Sequence, residues 1–215
     1  MIAYHNDPKI KAKYLRRVRA HAKADEIIHG KYWENGKGCA VGCTIHGDKH
    51  AAYETELGIP QPLARLEDTL FEGQSNGNAK TFPARFLAAI KPGADLSRVQ
   101  WKFLHWLLTE ELAGRDHPLV AAAIKQCADV LVPLTKGEPA DKSAASAARS
   151  AAWSAAWSAA WSAESAARSA ASAAWSAASE ASEARSAASA ARSAAWSAAA
   201  YVRMANKLIE LLGAA

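Results

Sequence analysis

The stretch GKGCAVGCTIHGDKH places Cys39, Cys43, His46 and His50 in the pattern C-x3-C-x2-H-x3-H. Thiolate and imidazole are the soft and borderline donors that zinc uses. The spacing departs from the usual zinc signature, in which one closely spaced pair meets a second, distant pair. On one unbroken helix the four donors would spread over about 16 Å, too far for a single ion. Gly47 can break that helix, so Cys39, Cys43, His46 and His50 form a candidate metal set with zinc as the candidate ion. The alternative is packing thiols beside ordinary surface histidines.

Gly36, Gly38 and Gly42 in the same stretch allow close backbone approach and can leave N–H groups free for a phosphate at a helix start. Lys37, Gly38 and Gly42 are therefore candidate residues for an anionic ligand. The Walker A pattern is absent, and no strand is expected ahead of the glycines, so a tight turn between helices is the plain alternative. Cys39 or Cys43 at a helix start, with His46 as a base, would suit a thiol enzyme, which nothing else in the chain supports. Glu54, Glu56, Glu67, Asp68 and Glu72 make an acidic set on two adjacent short segments, with His50 four residues before Glu54. Paired carboxylates can do acid–base or metal work, and ion pairing with Arg65 and the basic first helix is the competing use.

These residues need helices to position them. Asp7 and Pro8 make a cap and first-turn pair, and the segment they open runs to Gly30 with Ile10, Tyr14, Val18 and Ile28 at helical spacing. Lys9, Lys13, Arg16, Arg17 and Lys23 give that helix a solvated basic side. Further helices are expected from Asp48 to Gly58, from Pro62 to Gly73, from Thr81 to Pro92, from Asp95 to Gly114 and from Pro118 to Pro133. No segment alternates like a strand, so an all-α domain over residues 1–140 is expected. Within it Trp101, His105 and Leu108 share a face of a helix that is apolar nearly all round.

Residues 141–215 are a second region, built on serine, alanine and tryptophan. From Ser143 to Ser197 the serines recur on average every ~3.6 positions, the rotation of a straight α-helix. Arg149, Trp153, Trp157, Trp161 and Arg168 then fall along one edge. Facing outward, that edge can stack bases, clamp phosphates or dock a protein; facing inward, it fills a bundle. As a single helix the region would extend about 107 Å, against a compact diameter of about 45 Å for this length. It therefore projects and pairs with a second copy as a homo-oligomer, or folds back as an antiparallel hairpin near residues 176–185.

The repeat SAAWSAAWSAAWSAESAARSAAS, preceded by NGKGCAVGCTIHGDKHAAYETELGIPQPLARLEDTLFEG, resembles an Ala/Ser-repeat family of immunity proteins from bacterial and phage genomes. The resemblance implies a non-catalytic protein that neutralises a toxin or defence protein, and it brings no site residues. A second reading is a phage-type sponge for a nucleotide immune signal, with Gly38 and Gly42 on phosphate and Trp153 or Arg168 on the base. The third is the metal- or thiol-dependent enzyme centred on Cys39, Cys43, His46 and His50.

The 215-residue chain carries a formal charge of +5 and a pI near 9.1, which mildly favours an anionic partner without marking a nucleic-acid surface. It holds no run of 18 apolar residues and no signal-peptide pattern, so no membrane partner is expected and a cytoplasmic location is. Three cysteines without a secretion signal are expected to stay reduced.

Overall fold

The Asp7 side chain accepts from the Lys9 amide at 2.7 Å and Pro8 takes the first helical position, so α1 (Pro8–Lys23) starts where its cap dictates. It ends nearly two turns before the expected Gly30. Asp25 adopts φ 58°, a left-handed conformation its short polar side chain tolerates, and Ile27 and Ile28 then run extended against Gly38. The computed structural model describes residues 1–111, 118–141, 143 and 199–215.

Along the described chain, α1 is followed by α2 (Ala40–Ile45), α3 (Ala52–Leu57), α4 (Gln61–Glu72), α5 (Asn76–Ala89) and α6 (Val99–Trp106). The last continues as a π-turn, Leu107–Glu111, before α7 (Pro118–Lys136) and a C-terminal helix at 199–213. The molecule is thus mainly helical, with one correction. Between α1 and α2 lies an antiparallel hairpin, β1 (Trp33–Glu34) and β2 (Lys37–Gly38), turned by Asn35 at φ 50° and Gly36 at φ 81°. That is the Asn-Gly turn whose twist matches paired strands. No described helix is long and apolar enough to cross a membrane.

The described chain forms two compact units, Met1–Phe103 with Ser197–Ala215, and Leu104–Trp196. In the second, α7 packs on the π-turn and runs past the expected stop at Pro133 until Gly137, at φ 88°, ends it. The serine repeat lies outside the described residues, apart from its start, where Asp141 accepts from the Ser143 amide and hydroxyl at 2.7 Å each.

The first unit buries its apolar faces between α1, α2, α4 and α5. Tyr14, Val18, Val41, Leu63, Phe71, Phe82 and Phe86 are all removed from water, each worth about 1.5–3 kcal/mol for the larger side chains. The C-terminal helix adds Ala205, Leu208 and Leu212, with Tyr201 lying against Gly73 and Arg85 donating to Asn206 at 2.6 Å. The basic side of α1 is only partly solvated. Arg17 donates to the Thr44 carbonyl at 2.8 Å, and Lys11 donates to the Ala88 and Ile90 carbonyls at 2.7 Å each, so cations of α1 cap the carbonyl ends of α2 and α5. Burial lowers the Lys11 pKa.

Glu67 on α4 is fully buried. Tyr53 donates to its Oε2 at 2.7 Å, and its Oε1 has no partner. Burial pushes its pKa up to about 8; the Tyr53 bond opposes the rise and neighbouring Asp68 adds to it. The folded protein therefore holds a proton that the unfolded chain releases near 4.5, and stability falls as pH rises from there through about 8. Glu67→Gln removes this loss. Its unfolding free energy from urea melts should gain on the parent between pH 5 and 8.5, by up to about 1.4 kcal/mol per pH unit, and a constant difference would contradict the buried-acid state.

Candidate functional site

The hairpin is set onto α2 by contact between backbones. A Cβ on Gly42 would lie 1.4 Å from the Tyr32 carbonyl oxygen, and one on Gly38 would lie 2.0 Å from it. Only glycine admits that carbonyl at both places. Hydrogen bonds hold the approach: Cys39 N–H to Lys31 C=O at 2.7 Å, Gly38 N–H to Glu26 C=O at 3.0 Å, and Ile28 N–H to Gly38 C=O at 2.9 Å.

Cys39 caps α2, its Sγ accepting from the Gly42 amide at 3.5 Å. From α4, Asp68 and Glu72 stand one turn apart on the same face. The Cys39 Sγ and one oxygen from each of these carboxylates lie within 4.8 Å of one another. Glu72 accepts the Gly30 amide through both oxygens at 3.0 Å. Asp68 Oδ2 lies 3.2 Å from His50 Nε2, while Asp68 Oδ1 is buried without a partner. Tyr32 meets the His50 ring edge-on, with centroids 5.6 Å apart. Gly30, Lys31, Tyr32, Cys39, Asp68 and Glu72 line a cavity of about 240 Å³.

The electrostatics of this cavity are those of an acid-rich pocket. Burial pushes the Cys39 thiol well above its usual range; the Gly42 amide pulls it back somewhat, and Asp68 raises it further. Asp68 is also the main reason that the Tyr32 hydroxyl is raised. A thiol beside a carboxylate stays protonated, so Cys39 lacks the cationic partner that activates a cysteine nucleophile. An arriving cation reverses this, since a metal ion deprotonates a coordinating thiol outright.

The structure divides the expected Cys39, Cys43, His46 and His50 set. Cys39 and His50 both belong to Asp68. Cys43 instead donates to the Gly38 carbonyl at 3.3 Å, and burial pushes its pKa up to about 12. His46, left-handed at φ 54° where α2 ends, pairs with His21. The physical reason is that α2 has only six residues, so the chain from Gly47 onward turns away from its axis. Lys37 is exposed on β2. The amides of Gly38 and Gly42 are already bonded within the chain, to Glu26 and Cys39. Arg149, Trp153, Trp157, Trp161 and Arg168 lie outside the described residues.

The other acidic residues have local uses rather than the expected ion pairs. Glu54 caps the Gln61 amide at 2.9 Å, and Glu56 accepts the Tyr14 hydroxyl. The pair Asp68 and Glu72 was visible as part of the acidic set, and the pairing with Cys39 was not. His21 and Glu26 carried no motif. Comparison with family models, curated proteins and solved structures returned no match.

If the backbone contact positions the site, Gly42→Ala forces the hairpin off α2 and should cost on the order of 3 kcal/mol. Gly77→Ala, with open space at its Cβ inside α5, should be neutral or stabilising by up to about 1 kcal/mol. Equal midpoints in urea for the two variants would contradict the role given to Gly42.

Proposed function

We propose that the protein is a non-catalytic binding protein whose first unit is tied by a transition-metal ion, zinc by donor chemistry, held between Cys39, Asp68 and Glu72 with His50 in reach. The observation that carries this reading is the convergence of a thiol and two carboxylates inside one small cavity. The buried Asp68 Oδ1 adds to it: no hydrogen bond of normal geometry reaches it, and the neutral Cys39 and Tyr32 side chains beside Asp68 offset its charge less than a cation would.

Such an ion would join the start of α2 to α4, in a cavity that residues 30–32 help to wall. Three donors converge, and His50, now 3.2 Å from Asp68 Oδ2, would have to turn to the ion to complete the closed four-donor set of a structural site, since catalytic zinc keeps one position open. A cavity that presents Asp68 and Glu72 and is smaller than the roughly 300–1,000 Å³ of ligand pockets suits a cation rather than an anionic nucleotide. The family resemblance supports the same class, a protein that acts by occupying a toxin or defence component.

The test is a Co²⁺ and Zn²⁺ titration of the full-length, metal-stripped protein. Cobalt should give a thiolate charge-transfer band that Cys39→Ser abolishes, with affinity rising as pH rises because binding displaces the Cys39 proton. Zinc at 100 times its Kd should add about 2.7 kcal/mol of stability. Absence of the band, with melting unchanged by zinc, would overturn the reading.

A further inference from the structure

A second cluster, outside the pocket, holds His21, Glu26, Trp33 and His46. The Glu26 carboxylate accepts from His21 Nδ1 at 2.6 Å, and the two histidines meet Nε2 to Nε2 at 2.8 Å. Their ring centroids are 5.0 Å apart. The centroid separation exceeds the nitrogen contact by about two ring radii, so the nitrogens point straight at each other. A proton fits between them. A metal does not, since bonds of about 2.0–2.1 Å on each side would need nitrogens roughly 4 Å apart in this head-on arrangement. The Arg17 cation, which disfavours charge on His46, opposes a metal as well.

The proton count follows from the partners. Glu26 takes the Nδ1 hydrogen of His21, which leaves the Nε2 of a neutral His21 bare to accept from His46. One added proton keeps a single hydrogen in the gap. A second would set two N–H groups against each other across that gap and place two imidazolium cations side by side. Three other charges face the pair: Glu26 on His21, and Arg17 and Glu56 near His46. Glu56 is engaged by the Tyr14 hydroxyl, and Arg17 is cationic, so they give the second proton little compensation.

His46 also carries the structural consequence. It holds a left-handed conformation that a residue with a β-carbon rarely adopts, and its ring stacks on Trp33 with centroids 4.3 Å apart at 15°. Trp33 follows Tyr32, whose carbonyl is seated on Gly42.

We propose that His21 and His46 form a one-proton lock that holds the hairpin on α2 and opens when both histidines are protonated. Burial, then Arg17 and His21, lower the His46 pKa, with Glu56 opposing. The unfolded or opened chain therefore takes up the proton first, and the stability given by the closed pair is lost as pH falls below about 6.5. This opening is separate from metal binding: it would loosen the wall that Tyr32 gives the cavity whether or not an ion is present.

Histidine-selective NMR on the full-length protein from pH 8 to 4.5, with amide hydrogen exchange at Tyr32 and Trp33, tests the lock. The His46 ring should titrate in a step linked to its contact with His21, and exchange at Trp33, corrected for its intrinsic pH dependence, should rise at least about tenfold with that step. His46→Asn, which keeps a residue that tolerates the left-handed conformation, and His21→Gln should keep the helical circular dichroism at pH 7 and lose the linked step. A His46 step that passes with Trp33 exchange unmoved would overturn the proposal. So would an unchanged Trp33 transition in both variants, or sub-micromolar Ni²⁺ binding that both variants abolish.

Discussion

The first unit depends on one close contact, the Tyr32 carbonyl resting where Gly38 and Gly42 have no side chains. The chain there is too short in regular structure to be held by ladders: each strand has two residues, and α2 has six. What fixes it is a knot of backbone bonds, Glu26 to Gly38, Gly38 to Ile28 and Lys31 to Cys39, that only a side-chain-free approach permits. Cys39 is thereby held at the end of α2 facing α4, and the wall formed by residues 30–32 closes the cavity. The site is a product of backbone geometry before it is one of side-chain chemistry.

That geometry buries polar groups at a cost the structure relieves in different ways. Glu67 is relieved by keeping its proton, and Tyr53 satisfies one of its oxygens. Asp68, one residue on, faces the cavity and has a buried oxygen that a cation would satisfy. Gln74 donates to the Leu70 carbonyl, and nothing in the structure explains its unpaired Oε1. Cations are treated differently. Lys11 and Arg17 give their charge to the carbonyl ends of other helices, which joins α1 to α5 and α2 by directional bonds as well as by apolar packing.

Much of the helical order was legible because caps and breakers act locally. Asp7 with Pro8 marked the start of α1, and the interval from Pro62 to Gly73 marked α4 within one residue. The hairpin was missed because two-residue strands are too short to alternate, although Asn35-Gly36 was a turn signal in plain view. Cys39, His50, Asp68 and Glu72 each stood out as chemistry-bearing residues, but in two sets that shared only His50. No spacing rule joins residue 39 to residue 68, since the backbone knot and the packing of α2 on α4 make that join. His21 was illegible for the same reason: its partners Glu26 and His46 reach it only once α1 has ended at Lys23 and α2 at Ile45.

Native-state hydrogen exchange at the Gly38, Cys39 and Ile28 amides tests the backbone knot most directly. If the Tyr32 carbonyl is seated on Gly38 and Gly42, these three amides exchange slowly and open together, and all three lose protection in Gly42→Ala while the amides of α5 keep theirs. Exchange of the three at the rate of exposed chain in the parent protein would contradict it.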